Sequence, residues 1–398
     1  MREVVTRDGF ESRWLILATL FLARTAMGFQ FQSIGSTAPL LARDLGASYA
    51  EIGTLIGLFM LPGVLISLPG GVFAGRISDK RLCAAGLVLM MLGGIVVGAS
   101  HDYAAAFAGR LISGTGSVLF NLVITKMATD WFAGREIVFG MGILLASWPC
   151  GIALGLLVQG ALATAAGWPV VMHATAGLCM FSLLLIAAIY RPPPGAGPAV
   201  ASRTGKLAPP PSAETLPTLV AGLIWGAFNL GLVLFFSFAP ALMAEQGMAP
   251  LAAASLASTA LWITMLSVPL CGYAVQRSGR ADAAIAVFGV VAGLVLAALT
   301  TGTLPALLCA LVGIAIGPPA GAIMALPARV LAPANRPMGF GVFYTIYYAV
   351  LAFGPMLAGV LRDRFGTAAA AILLGAALFV ACAPLLWVFE RLAVRRRS

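Results

Sequence analysis

Ala38-Pro39-Leu40-Leu41-Ala42-Arg43-Asp44-Leu45-Gly46 returns as Ala239-Pro240-Ala241-Leu242-Met243-Ala244-Glu245-Gln246-Gly247, at an offset of 201 residues. The same offset carries Gly71 to Gly272 and Arg76 to Arg277. Further along, Phe139-Gly140-Met141-Gly142-Ile143 matches Met338-Gly339-Phe340-Gly341-Val342 at 199. Three stretches in one order at nearly one offset make this 398-residue chain a duplication.

The unit that is duplicated is a set of apolar helices. The chain is 61% hydrophobic and only 10% charged, whereas about a quarter of an ordinary soluble domain is charged. Apolar stretches of roughly twenty residues, the length that crosses a ~30 Å hydrocarbon core, recur at 14–41, 50–74, 83–100, 103–128, 137–161, 168–190, 216–243, 250–275, 283–300, 305–331, 338–361 and 367–389. Long runs without alternation exclude a barrel, and lipid forbids open sheet edges. The expected fold is an all-α membrane protein with twelve transmembrane helices in two pseudo-symmetric six-helix bundles. Six is even, so both bundles start on the same side and are parallel repeats.

Residues 191–215 are the one long polar interruption, with Pro192, Pro193, Pro194, Pro198, Pro209, Pro210 and Pro211. Such a segment cannot pack a core. The expected division is an N-terminal bundle at 1–190, a cytoplasmic linker at 191–215 and a C-terminal bundle at 216–398.

The net charge of +10 has a topological reading. With both termini cytoplasmic, the 24 Lys and Arg divide as 19 cytoplasmic, 3 periplasmic (Arg43, Arg362, Arg364) and 2 within the membrane. That asymmetry fixes an orientation in the cell inner membrane and removes the case for nucleic acid. The six cysteines lie in apolar segments without metal-ligand spacing, and no nucleotide-binding loop or nucleophile–base set appears. No cofactor and no enzymatic activity are expected. The apolar run after the charged N-terminus is broken by Arg24 and reads as a first helix, not a signal peptide.

Gly71-Val72-Phe73-Ala74-Gly75-Arg76-Ile77-Ser78-Asp79-Lys80-Arg81 follows the second helix, and Gly272-Tyr273-Ala274-Val275-Gln276-Arg277-Ser278-Gly279-Arg280 follows the eighth. Both resemble the cytoplasmic signature of the major facilitator superfamily, and Arg110-Leu111-Ile112-Ser113-Gly114-Thr115-Gly116 resembles its fourth-helix motif. The signature acid is replaced by Gly75 in one copy and Gln276 in the other, which removes part of the gate lock that the resemblance implies. What the resemblance leaves is Arg76 pairing with Asp130, with Arg277 as the second copy's counterpart; a solvated basic loop is the plainer reading. Ser147-Trp148-Pro149-Cys150-Gly151 matches the family's antiporter motif poorly, and Gly354-Pro355-Met356-Leu357-Ala358-Gly359 matches it better but in the eleventh helix. Gly28-Phe29-Gln30-Phe31-Gln32 and Asp130-Trp131-Phe132 are similar to the branch holding cyanate, nitroimidazole and nitrate/nitrite permeases.

Ionisable residues at bilayer depth are costly and mark function. Arg24 lies about 15 Å into the first helix and Arg110 about 10 Å into the fourth. All fourteen acidic residues can be placed at helix ends, loops or tails, so the natural counter-ion is a transported anion, which the guanidinium fork suits. Arg110, Gly114, Ser117, Asn121 and Thr125 share one helical face; a cavity wall and a packing seam both fit. The repeat sets Trp225 opposite Arg24, one turn before Asn229. Tyr344, Tyr347 and Tyr348 share a face of the eleventh helix, as cavity lining or as plain packing. Gln32 falls nearer than Gln30 to Arg24's side. Lys126 can snorkel to water, and His173 reads as structural or as a proton carrier.

The expected substrate-binding set is Arg24, Arg110, Gln32, Asn121, Trp225, Asn229, Tyr344 and Tyr347, in a monomer within the lipid bilayer. It would move a small carboxylate or inorganic oxyanion by alternating access, through proton symport or anion exchange. The rivals are a drug or neutral-solute exporter and a transporter-like sensor without net flux.

Overall fold

The structure, a computed structural model, describes residues 7–67, 78–132, 137–193, 211–332 and 335–394. Within them, twelve helices are long and apolar enough to cross a membrane: Arg13–Leu45, Tyr49–Ile66, Asp79–Gly98, Tyr103–Phe132, Gly140–Ala166, Trp168–Ile189, Ser212–Glu245, Pro250–Ser278, Ala281–Thr301, Pro305–Val330, Met338–Phe365 and Ala369–Val394. They are named first to twelfth below. The duplication is visible in the packing. In each half the first helix lies against the fifth and sixth, and the third lies against the fourth and sixth.

The boundaries depart from the expected ones in three places. Pro39 is exposed and the first helix continues past it to Leu45. The seventh starts earlier than expected, at Ser212, where Glu214 in its first turn accepts from Ala332 N (3.3 Å) and Asn335 Nδ2 (2.9 Å). Most of the expected linker lies outside the described residues. The second helix breaks at Phe59 and Met60, just ahead of Pro62, because proline has no N–H to continue the ladder.

The halves meet by a reciprocal rule: the second helix packs on the eleventh, and the eighth on the fifth. These contacts gather at the face away from residues 7 and 394, here called the far face. Gly53 and Gly57 bring the second helix so close to the eleventh that a Cβ at either would collide with the carbonyls of Pro355 and Ala352. Asp363 then caps the second helix, its Oδ1 accepting from Tyr49 N (2.9 Å) and its Oδ2 from Ala50 N (2.7 Å). A carboxylate is favoured there by the unpaired amides and positive end of the helix. Arg362 lays its guanidinium 3.6 Å from the Tyr49 ring centre and pairs with Glu245 at 3.1 Å.

The opposite, terminal face is arranged differently. Lys126 on the fourth helix pairs with Asp79, at the start of the third, and with Asp130 at 3.1 Å. In the second half Arg329 on the tenth helix pairs with Asp282 (2.6 Å), at the start of the ninth, and with Glu390 (2.7 Å). Lys126 to Arg329 and Asp79 to Asp282 are both steps of 203 residues, so this is one clamp built twice. Each clamp stays within its own half. Among the described residues no ion pair joins the halves at the terminal face, whereas Asp363 and its neighbours join them at the far face. Among the described residues, the ion pairs and caps that tie the halves together thus lie at the far face.

Candidate functional site

The first and fifth helices touch backbone to backbone. A Cβ at Gly28 would meet the Trp148 carbonyl, and one at Gly151 would meet that of Thr25. This places Arg24, one turn before Gly28, against the turn of the fifth helix that precedes Pro149. Pro149 cannot donate to the carbonyl four residues back, so Leu145 O lacks its helical partner. Arg24 Nη1 supplies donors instead, to Leu144 O (3.0 Å), Leu145 O (3.2 Å) and Ser147 Oγ (3.5 Å). Its Nε donates to Asn121 Oδ1 at 3.2 Å. Charge-assisted bonds contribute about 1.5–3 kcal/mol each, enough together to offset the ~2.5–3.5 kcal/mol cost of arginine at a helix centre. Nη2 has no protein partner among the described residues, and Arg24 remains 8% exposed.

On the other side of the interface between the halves, the second half presents rings. Tyr347, Tyr348 and Tyr344 are electrostatic neighbours of Arg24, and the Tyr348 hydroxyl lies beside the Asn121 side chain. The three tyrosines pack with one another, Tyr347 on Tyr348 at 5.0 Å between ring centres and Tyr344 on Tyr347 at 6.1 Å. Trp225 stacks on Tyr347 (6.2 Å, 28° between planes) and on Phe228 (5.9 Å, 17°). Counting inward from the helix ends at the terminal face, Arg24 is eleven residues from Arg13, Asn121 eleven from Phe132, Tyr347 eleven from Arg336 and Trp225 thirteen from Ser212. At 1.5 Å per residue all four lie about 16–20 Å deep, a single level reached from both halves. The Major Facilitator Superfamily model matches residues 20–240 and 219–398, nearly all of the chain. The chain belongs to that superfamily.

This facilitator resembles several described proteins. The quinolone resistance protein NorA of Staphylococcus aureus (strain Mu50 / ATCC 700699) is 25% identical over 136 residues, 33% of this chain and 35% of NorA. An MFS-type transporter of Aspergillus terreus is 23% identical over 155 residues, 39% of this chain and 28% of that protein. The match thus spans about a third of these relatives' length. Among solved structures, the nucleoside transporter NupG superposes with a TM-score of 0.74 at 14% identity, covering 96% of this chain and 99% of NupG. A bacterial homologue of the lysosomal transporter Spinster, inward-facing and occupied, gives 0.73 at 15% identity, covering 96% of each chain. At these identities the likeness is one of fold. Together with twelve membrane-length helices, it makes the facilitator a multi-pass membrane protein.

Of the residues that the sequence singles out, Arg24, Asn121, Trp225, Tyr344 and Tyr347 come together, with Tyr348 beside them. Arg110 stands apart. It is 1% exposed, with Nε on Leu55 O (3.0 Å), Nη1 on Gln30 O (3.4 Å) and its guanidinium 4.7 Å from the Phe59 ring centre. Its Nη2 is buried without a hydrogen-bond partner among the described residues. Together with Ser117, which donates to Phe59 O at 3.3 Å, it clasps the break in the second helix. The polar face of the fourth helix thus divides, its Arg110–Ser117 part a seam and its Asn121 part a cage wall.

Gln32 lies in another seam, donating to Ser36 Oγ (3.2 Å) and, across the halves, to Phe236 O (3.4 Å). Asn229 spends its amide on Trp225 O, one turn back in its own helix (2.8 Å). His173 bonds Pro169 O in the same way (2.7 Å). At the terminal face Asp130 is engaged by Lys126 and Arg277 is exposed, while Arg76 lies outside the described residues. Ser147 and the carbonyls of Leu144 and Leu145 are the site's unforeseen members. Pro149 was their signal, since a mid-helix proline always frees an acceptor four residues before it.

Proposed function

We propose that this facilitator is a secondary transporter that binds an organic anion in the cage at Arg24 and carries it across the inner membrane by rocking its two halves. The observation that supports this reading is a buried guanidinium at mid-depth with one open nitrogen. No carboxylate among the described residues pairs with it. A lone cation in low dielectric needs a counter-charge, and the open nitrogen is where one would dock. On the positive-inside reading the terminal face is cytoplasmic, and the cross-half cap at Asp363 on the other face supports an inward-facing reading. Among the described residues the cage contains no acid or histidine to carry a proton, which favours exchange of one anion for another over proton symport.

Export of drugs is the second reading, favoured by the partial likeness to NorA and by the aromatic wall. Proteoliposomes separate the two. Labelled organic anion should enter vesicles preloaded with unlabelled anion, and Arg24→Gln should abolish this exchange. Hydrophobic dye movement that is indifferent to Arg24→Gln would sink the anion reading, and binding without internal label would indicate a sensor.

A further inference from the structure

We infer that the cage selects a flat aromatic ring carrying a single negative charge, such as an aromatic monocarboxylate, over inorganic oxyanions and dianions. This rests on the anion reading above and narrows it from the geometry of the same site.

The first constraint is the supply of cations. Arg24 already spends Nη1 and Nε on protein acceptors, leaving Nη2 as its open donor. Arg110 cannot assist: it is 1% exposed and held by Leu55, Gln30 and Phe59. One open cationic edge neutralises one charge. A dianion would bring a second charge into a chamber with nothing to balance it.

The second constraint is what faces Arg24. A bare oxyanion such as nitrate, held near Arg24, would leave the ring carbons of Trp225, Tyr344, Tyr347 and Tyr348 without a partner. A solute with a flat uncharged body avoids this by directing its carboxylate at Arg24 and its ring at the wall. Phe228, Trp225 and Tyr347 already form a run of nearly parallel planes, at 17° and 28°. A flat ring entering beside Tyr347 continues that run, with the tyrosine hydroxyls and Asn121 close by. A saturated ring of the same size gains the burial but not the stacking.

Five probes and two variants test this on the purified full-length chain, by titration calorimetry and ligand-induced shift in Tm. The probes are benzoate, cyclohexanecarboxylate, phthalate, benzamide and nitrate. Benzoate should bind about three- to tenfold tighter than cyclohexanecarboxylate, the range of a stacking contribution. It should exceed benzamide by at least about tenfold, the size of a charge-assisted bond, and should exceed both phthalate and nitrate. Trp225→Leu should erase the preference for benzoate over cyclohexanecarboxylate while anions still bind. Arg24→Gln should erase the preference over benzamide.

Tighter binding of nitrate or phthalate than of benzoate overturns the aromatic monoanion and leaves the anion reading standing. Equal binding of benzamide and benzoate, or no shift with any probe, overturns both. Equal binding of benzoate and cyclohexanecarboxylate removes the stacked ring alone.

Discussion

Arg24 and Arg110 look alike in the sequence and differ in the fold. Both are arginines deep in apolar helices, without a carboxylate partner among the described residues. Both donate to backbone carbonyls near a helix that a proline disrupts, Pro149 for one and Pro62 for the other. Arg24, however, sits where the two halves face each other, with a nitrogen left without a protein partner and tyrosines nearby. Arg110 sits inside one half, between helices of that half. On the proposed mechanism a buried arginine is a functional signal only where the two halves meet; elsewhere the same chemistry is a brace.

The sharpest way to break this contrast is to neutralise each residue. Arg24→Gln should weaken anion binding about 100-fold, the worth of a charge-assisted bond in a dry site, while the protein still purifies. Arg110→Gln should do the reverse. Loss of the bonds to Leu55 O and Gln30 O should cost about 2–3 kcal/mol of stability, seen as a lowered Tm. Affinity in the protein that survives should stay within about threefold. Exchanged phenotypes would end the distinction.

A second test concerns the cap that ties the halves together at the far face. Asp363→Ala removes a cap worth about 1–2 kcal/mol and should shift the inward-to-outward population about tenfold. Labelling from the far side of Ser258→Cys, where the native serine is buried across the halves on Ala153 O of the fifth helix, should rise accordingly. A third test isolates the proline's share. In an Arg24→Gln background, Pro149→Ala returns an N–H to Leu145 O and should recover about 1 kcal/mol of stability without restoring binding. The smallest effect is expected at Asn229: with its amide spent on Trp225 O, Asn229→Ala should change affinity by less than about threefold. A larger loss would bring Asn229 into the cage.

The architecture was legible because it is written in composition and repetition. Twelve apolar runs, an even count per half and the 201-residue echo around Pro39 and Pro240 leave little choice of fold. The cage was half legible. Depth along a helix can be counted from its ends, so Arg24, Trp225 and the eleventh-helix tyrosines could be matched in level. What a sequence cannot express is which neighbour reaches a buried charge first. Arg110 shares a helical face with Asn121, yet the break before Pro62 offers it carbonyls ahead of any solute. Gln32 and Asn229 face inward too, but each finds a backbone acceptor close by. The clamps were hidden for a related reason: Lys126 reads as a residue reaching for water until Asp79 is seen at the start of the adjacent third helix.

The single turn that holds Arg362 and Asp363 has a consequence for leakage. Through Glu245 it grips the end of the seventh helix, and through Tyr49 and Ala50 it grips the start of the second, so one turn works as a rivet through three helices. Loosening either grip drags on the other, which makes partial opening at that end costly. On the proposed rocking mechanism, the far face would then release as a unit, with no partly open stage through which solutes could leak.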